Sequence, residues 1–318
     1  MTSLPGPVVF LGTAPFALPS LRALVGAGER VVLVVTQPDR PRGRGRSLQP
    51  PPVKELALHL GLPVIQPDRV NAPEVVERVA SLRPEFLVVV AYGQILGRQL
   101  LGVPSRGAVN LHPSLLPRHR GPSPVAWTIL EGDDRAGVST MLVDERMDAG
   151  PVLLQRDIPL LPSATRGEVE DHLARIGADL VVKTLQGLRA GTVHPVPQDE
   201  AGATYSRRID RGMRRIPWTE PARAVRRRIH ALSPRPGALA ELRGGLVKVL
   251  RAAEVPEGGS PGVVIRIAPE GPVVGCGRDA VVLLEVQPEG KRPMGGDAWA
   301  RGGGIRPGET FEAGGEGL

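Results

Sequence analysis

The sequence predicts an α/β protein built on a parallel sheet, followed by a smaller domain of β structure. Three observations carry this. Short β-branched runs alternate with helix-length amphipathic stretches through roughly the first 190 residues, the pattern of strands joined by crossover helices. After Pro195-Val196-Pro197 the texture becomes Arg-rich and then Gly-rich, with brief strand-like pieces. The chain has 318 residues, the length of two domains at about 100–200 residues each. The expected division is a first domain over 1–190, a linker over 191–212 and a second domain over 213–318.

The elements follow in order. Val8 to Leu11, Val31 to Thr36, Phe86 to Val90 and Val109 to Leu111 read as buried strands. Between them, Leu18 to Ala27, Val53 to Leu60, Pro73 to Leu82 and Glu168 to Leu188 carry apolar residues three and four apart, as helices do. The last has a Leu173, Ile176, Leu180 stripe and is expected to be the longest helix. Val152 to Leu154 reads as a further strand. In the second domain Leu246 to Leu250, Gly262 to Ile267 and Ala280 to Val286 are strand-like, and Gly258-Gly259, Glu270-Gly271 and Glu289-Gly290 mark turns between them. A small β-barrel is expected there.

Composition excludes several classes. With 41% hydrophobic and 23% charged residues the chain is globular and not disordered. Gly 40 and Pro 34 show no triplet period, which excludes collagen, and 3% aromatics is too few for a base-stacking platform. A lone cysteine, Cys276, excludes a disulfide framework and a Cys-rich zinc site. His59, His119, His172, His194 and His230 have no partners at ligand spacing, so no metal is expected. The apolar run Val8-Val9-Phe10-Leu11 is too short for a signal peptide or a membrane span, so a cytoplasmic protein without a membrane partner is expected.

Charge is concentrated. The formal net charge is +7, and the pI is near 10.4. From Arg207 to Arg251, twelve Arg and Lys248 face only Asp210, Glu220 and Glu241, a net +10, so the rest of the chain nets −3. A second basic knot, Arg40-Pro41-Arg42-Gly43-Arg44-Gly45-Arg46, sits in a Gly/Pro-rich loop after the second strand. Such runs are either solvated surface or the footprint of a polyanion.

No G-x-G-x-x-G, Walker loop, G-x-S-x-G or H-E-x-x-H is present, which removes the dinucleotide, P-loop, hydrolase-elbow and zincin readings. Chemistry is concentrated between Asn110 and Gly150. Asn110 and His112 lie two apart at the end of a predicted strand, so they point the same way with Cα atoms roughly 6.5 Å apart. Strand ends are where open α/β sheets bind ligands. The same pair is also what a capping Asn and a surface His would look like. Asp148 stands in the turn Met147-Asp148-Ala149-Gly150, where an Asx turn is the ordinary use of a carboxylate. Together, an amide donor, an imidazole and a carboxylate can polarise a carbonyl, stabilise developing negative charge and relay a proton.

Asn110-Leu111-His112-Pro113-Ser114-Leu115-Leu116-Pro117-Arg118-His119-Arg120-Gly121, then Gly137-Val138-Ser139 and Asp144 through Gly150, closely resemble the signature of the folate-dependent formyltransferases. Within that superfamily the chain is most similar to the methionyl-tRNA formyltransferase family, over nearly its full length. Phe10-Leu11-Gly12-Thr13, Thr36 through Gly45, Val88 through Gly93, Ala203-Thr204-Tyr205 and Leu284 through Lys291 also match. The chain departs from the family at Ala14-Pro15, Gly97, Pro122-Ser123-Pro124 and Arg208.

The resemblance implies a Rossmann-like catalytic domain and an OB-like β-barrel that holds tRNA. It implies transfer of the formyl group of 10-formyltetrahydrofolate to methionyl-initiator tRNA, with tetrahydrofolate released and no metal. Asn110, His112 and Asp148 would be catalytic, and Ser114, Leu115, Leu116, Pro117 and Tyr92 would border the folate. Arg40, Arg42, Arg44, Arg46 and Arg208 would contact tRNA. The extra domain of about 110 residues and the +10 segment favour tRNA over glycinamide ribonucleotide or an amino sugar as acceptor. A monomer is expected.

Overall fold

The computed structural model describes residues 5–42 and 47–312. These form two compact units, the first made of residues 1–121, 137–158 and 170–205 and the second of 122–136, 159–169 and 206–318.

In chain order the first part carries β1 (Pro7–Gly12), α1 (Leu18–Gly26), β2 (Arg30–Val35), β3 (Arg40–Arg42), β4 (Ser47–Gln49), α2 (Pro52–His59), β5 (Val64–Ile65), α3 (Pro73–Ser81), β6 (Phe86–Val90), α4 (Arg98–Leu101) and β7 (Ala108–His112). Then come α5 (Pro124–Glu131), β8 (Arg135–Leu142), β9 (Val152–Pro159) and α6 (Arg166–Ala190). Seven strands form one sheet in the order β5-β2-β1-β6-β7-β8-β9. The pairs β5-β2, β2-β1, β1-β6 and β6-β7 are parallel, and β8 returns antiparallel on β7.

The direction of winding reverses between β1 and β6, so their carboxyl ends open a crevice of the kind where doubly wound sheets take ligands. Its loops are tied together: the Thr13 hydroxyl donates to the Tyr92 carbonyl at 2.8 Å. The central strands are buried on both faces. Val8, Val9, Phe10, Phe86, Leu87 and Val88 are wholly inaccessible, which is why they read as continuous apolar runs and not as alternation.

The helices obey local rules. In α3 Val75 and Val79 are buried one turn apart, with Pro73 opening the helix and Glu74 and Arg78 placed to favour its dipole. Helix α6 starts at Arg166, two residues before the sequence expectation, because Thr165 and Glu168 form a reciprocal capping pair: the Thr165 amide and hydroxyl donate to the Glu168 carboxylate at 2.8 and 2.9 Å. Of the expected basic loop after β2, the described residues Arg40–Arg42 pair antiparallel with Ser47–Gln49, β3 on β4, with Arg40 opposite Gln49 and Arg42 opposite Ser47. Asp39 anchors its base, receiving bonds from Lys54 at 2.8 and 2.9 Å and from Gln66 at 2.6 Å. The Gln66 bond, and then Lys54, hold its carboxyl below the usual carboxylate range.

The second unit contributes α7 (Ala222–Leu232), β10 (Ala238–Leu242), β11 (Gly245–Val255), β12 (Val264–Ala268), β13 (Gly271–Gly275), β14 (Ala280–Pro288), β15 (Met294–Gly295) and α8 (Gly296–Arg301). Its antiparallel sheet runs β10-β11-β14-β13-β12, with β15 beside β14. Register shifts in β11 and β12 bend the ladder, as bulges do. Its two outer strands are capped by short bridges, Arg215 on Leu239 and Val263 on Thr310, which blunts exposed edges.

Val225, Ile229 and Leu232 of α7 pack on this sheet with Trp218, Trp299 and Phe311. Trp218 and Phe311 stack with ring centroids 5.2 Å apart. Cys276 is a buried member of this core, and burial pushes its thiol up to about 12. The Arg-rich segment is partly neutralised from outside itself, by Glu254 on Arg226, Glu168 on Arg251 and Glu309 on Arg243.

Candidate active site

Strand β7 places Asn110 and His112 by its two-residue period, between β6 and β8. The intervening Leu111 points to the other face, against Gly177 of α6. Asn110 is half-buried, and its carboxamide bonds to no other side or main chain among the described residues. His112 is 5% exposed. Its Nε2 faces the His119 carbonyl at 3.0 Å and its Nδ1 faces Asp148 Oδ2 at 3.6 Å. A carbonyl only accepts, so Nε2 carries a proton, and Nδ1 is the nitrogen turned to Asp148.

Register explains how Asp148 reaches this place. Leu142, the last residue of β8, pairs with Val109 near the start of β7. The following segment must therefore double back along β7 to meet His112. It does so through a sharp turn in which Asp148 adopts φ +50°, a conformation that non-glycine residues rarely hold. At Gly150 a Cβ would overlap the Leu142 carbonyl, so only glycine fits. The Gly121 amide donates to Asp148 Oδ2 at 2.7 Å and fixes the carboxylate, and Gly121 is itself at φ +107°.

Ser114, Leu115, Leu116 and Pro117 form the next turn of chain. Ser114 donates to the Arg118 carbonyl at 2.6 Å, Leu116 N–H donates to Ser139 Oγ at 3.1 Å, and Gln155 donates to the Leu116 carbonyl at 2.9 Å. The Ser114 and Leu116 side chains are thereby turned inward, and Leu115 lies against Gly137. Tyr92 is 2% exposed within the apolar cluster of Val9, Leu11 and Leu96, and burial raises its phenol to about 12. Its ring is core, and its carbonyl ties the β6 loop to Thr13. Arg40 is exposed at the ribbon base, donating to Gln37 at 3.2 Å, and Arg208 is exposed in the second unit. For Arg42 only the backbone, in β3, is described. Arg44 and Arg46 lie outside the described residues.

Some residues around the trio had no role in the sequence reading. Arg120 is 1% exposed. It donates to Gln198 Oε1 from Nε and Nη2 at 3.0 and 2.9 Å, to Glu200 at 2.9 and 3.2 Å and to the Tyr205 hydroxyl at 3.3 Å. Its guanidinium holds the Glu200 carboxyl below its usual range. Gln198 in turn donates to the carbonyls of Asp148 and Gly150 at 2.9 and 2.7 Å. These contacts join positions 48 to 85 residues apart, and no local pattern announces them.

The formyl transferase family matches residues 8–185 and its C-terminal domain matches residues 208–304. The chain is 47% identical over 298 residues to the methionyl-tRNA formyltransferase of Chloroflexus aurantiacus, covering 93% of this chain and 96% of that protein. It is 46% identical over 316 residues to that of Roseiflexus sp. strain RS-1, covering 97% and 96%. Among solved structures it is similar to HypX from Aquifex aeolicus in complex with tetrahydrofolic acid, with a TM-score of 0.65 at 19% identity, over 94% of this chain and 47% of that one. The N-formyltransferase of Helicobacter canadensis in complex with folinic acid and dTDP-3-aminofucose gives a TM-score of 0.66 at 15% identity, over 87% and 98%. At such identities the likeness is one of fold. No helix of the described residues is long and apolar enough to cross a membrane. The matches to both halves of the chain and the near-full-length relatives show that it belongs to the formyl transferase family.

Proposed function

We propose that this protein transfers the formyl group of 10-formyltetrahydrofolate to the free α-amine of methionine esterified to initiator tRNA, as a monomer in the cytoplasm. The observation that carries the proposal is the 47% identity to a methionyl-tRNA formyltransferase across nearly the whole of both chains. Residues 1–190 carry the chemistry, 191–212 link, and 213–318 hold tRNA.

The donor, when bound, supplies an electrophilic formyl carbon whose oxygen gains negative charge as the amine attacks. The free Asn110 carboxamide suits this oxygen, being a half-buried donor with no partner of its own among the described residues. One such donor is worth about 10²–10³ in rate. His112, with Nε2–H committed to the His119 carbonyl, works through Nδ1. Protonated there, it donates toward the same charge. Asp148 stabilises that protonated ring and takes part in moving the proton that leaves the amine. The 3.6 Å separation of Nδ1 and Oδ2 is longer than a hydrogen bond, as is common for catalytic pairs before substrate binds. Ser114, Leu115, Leu116, Pro117 and the Tyr92 loop border the folate.

Arg40 and Arg42 of the ribbon, with Arg44, Arg46 and Arg208, meet phosphates of the tRNA. If n phosphates are neutralised, affinity should fall with salt at a logarithmic slope near −0.7n to −0.9n. The test is formyl transfer to charged initiator tRNA, run beside uncharged tRNA and glycinamide ribonucleotide. Product with the charged initiator alone is expected. Product with glycinamide ribonucleotide and none with tRNA would refute the acceptor, and an affinity for tRNA indifferent to salt would refute the arginine contacts.

A further inference from the structure

Residues 198–205 follow α6 and contribute no side chain to the trio, yet they touch the two segments that complete it. Gln198 spends both amide hydrogens on the carbonyls of Asp148 and Gly150, which flank the strained turn at φ +50°. Its oxygen accepts twice from the buried Arg120, so the carboxamide is pinned at both ends. Six residues on, the Thr204 hydroxyl accepts from the His119 amide at 2.8 Å, and the Thr204 carbonyl accepts from the Arg120 amide at 2.9 Å. The Thr204 amide donates to the Pro117 carbonyl at 3.3 Å.

The stretch held in this way presents the His119 carbonyl to His112 Nε2 and, two residues later, the Gly121 amide to Asp148 Oδ2. Val152 and Val196 exchange two backbone bonds at 2.8 Å, which fixes the near end of the segment beside the strand that leaves the Asp148 turn. One strap therefore grips the carboxylate from its backbone side and the imidazole through its carbonyl partner. Arg120 is the shared anchor, buried although it is charged because Gln198, Glu200 and Tyr205 surround it.

We infer that the strap from Gln198 to Tyr205, anchored on Arg120, is the positioning element that sets the spacing and orientation of His112 and Asp148. This rests on the trio proposed above. Gln198 and Thr204 are positioning residues: neither touches the reacting atoms, and each acts on one half of the pair. A misplacement of about 1 Å from such a remote change can cost on the order of 10²-fold in rate.

Gln198→Glu keeps the size of the side chain and its bonds to Arg120 but removes both N–H donors and sets a carboxylate against two carbonyls. Thr204→Val removes the acceptor for the His119 amide at nearly constant shape, and Thr204→Ser restores it. Both Gln198→Glu and Thr204→Val should lower kcat for formyl transfer to methionyl-tRNA by about 10- to 100-fold. KM for tRNA and the thermal midpoint should change little, and Thr204→Ser should recover most of the rate. Wild-type kcat in Gln198→Glu and Thr204→Val would overturn the inference. So would a loss of rate that tracks a loss of folded protein in the thermal melt. Asp148→Asn, measured in parallel, separates the two levels. A near-normal rate there overturns the trio and the strap together, whereas collapse there with full rate in the strap variants overturns the strap alone.

Discussion

At the edge where the parallel strands begin, Glu29 precedes β2, Glu85 precedes β6 and Arg106 precedes β7. Arg189, from the last turn of α6, bonds both oxygens of Glu29 at 2.6 and 2.7 Å and Glu85 at 2.8 Å, while Arg106 takes the other Glu85 oxygen at 3.0 Å. Each of these four charges has a close partner. At the edge where β7 ends, His112 and Asp148 stand 3.6 Å apart, and the Asn110 carboxamide bonds to none of the described residues. One edge has charges matched in close pairs, which is how a fold tolerates buried ions. The other keeps donors and a proton acceptor uncommitted, which is what a reaction requires. The difference teaches where to look: the polar residues whose capacity is still unspent mark the edge proposed to carry the chemistry.

The largest expected effect breaks the functional edge. His112→Ala should lower the rate of formyl transfer by about 10²–10⁴ while leaving tRNA affinity near wild type, as read by filter binding. A comparable loss of tRNA affinity would mean that His112 binds substrate and does not handle protons.

The second effect uses another histidine as contrast. His230 is fully buried in the second unit. Its Nδ1 donates to the Pro162 carbonyl and its Nε2 accepts from the Ala252 amide, both at 3.2 Å. Burial, and then Arg226 and Arg251, push its pKa down to about 4 from 6.5. The unfolded chain therefore takes the proton first, so the stability from neutral His230 is complete above about pH 6.5 and drains away as pH falls toward 4. The loss is on the order of 3 kcal/mol. Urea midpoints at pH 7.5 and 4.5 should show it, and His230→Gln should flatten the difference. An unchanged slope in that variant would sink the assignment.

The smallest effect breaks the structural edge. Glu29→Gln leaves Arg189 with Glu85 and should cost about 1–3 kcal/mol of stability, with kcat unchanged. A loss of kcat without a loss of stability would show that the two edges are coupled and the comparison is wrong.

The central strands, one helix and half of the site are legible in the sequence. Val8 to Leu11, Val31 to Thr36 and Pro73 to Leu82 lie within a residue or two of β1, β2 and α3, because unbroken apolar runs and a clean helical period are local signals. Strand β8 was not foreseen: Ser139 and Thr140 are buried in it, and buried hydroxyls imitate a loop in the pattern. Helix α7 was hidden as well. Its apolar positions Ala222, Val225, Ile229 and Leu232 have helical spacing, but four arginines between them read as a charge run.

In the site, Asn110 and His112 are legible because a two-residue period is local. Asp148 is legible as a carboxylate in a turn, but its approach to His112 is not, since that depends on a strand register and a left-handed turn. Tyr92, expected beside the folate through its loop, has its ring in the core. Arg120 and Ala203-Thr204-Tyr205 stand among the motifs of the sequence, but the strap they form is not legible there, because Arg120 and Gln198 meet across 78 residues.

The chemistry proposed for the open edge of the sheet is tested most directly by Asp148→Asn. The substitution keeps shape and an acceptor oxygen for the Gly121 amide and removes only the charge that faces His112. The rate of a single turnover with formyl donor and charged initiator tRNA should fall by about 10² or more, with tRNA affinity and thermal midpoint unchanged. A variant that turns over at the wild-type rate would contradict the account.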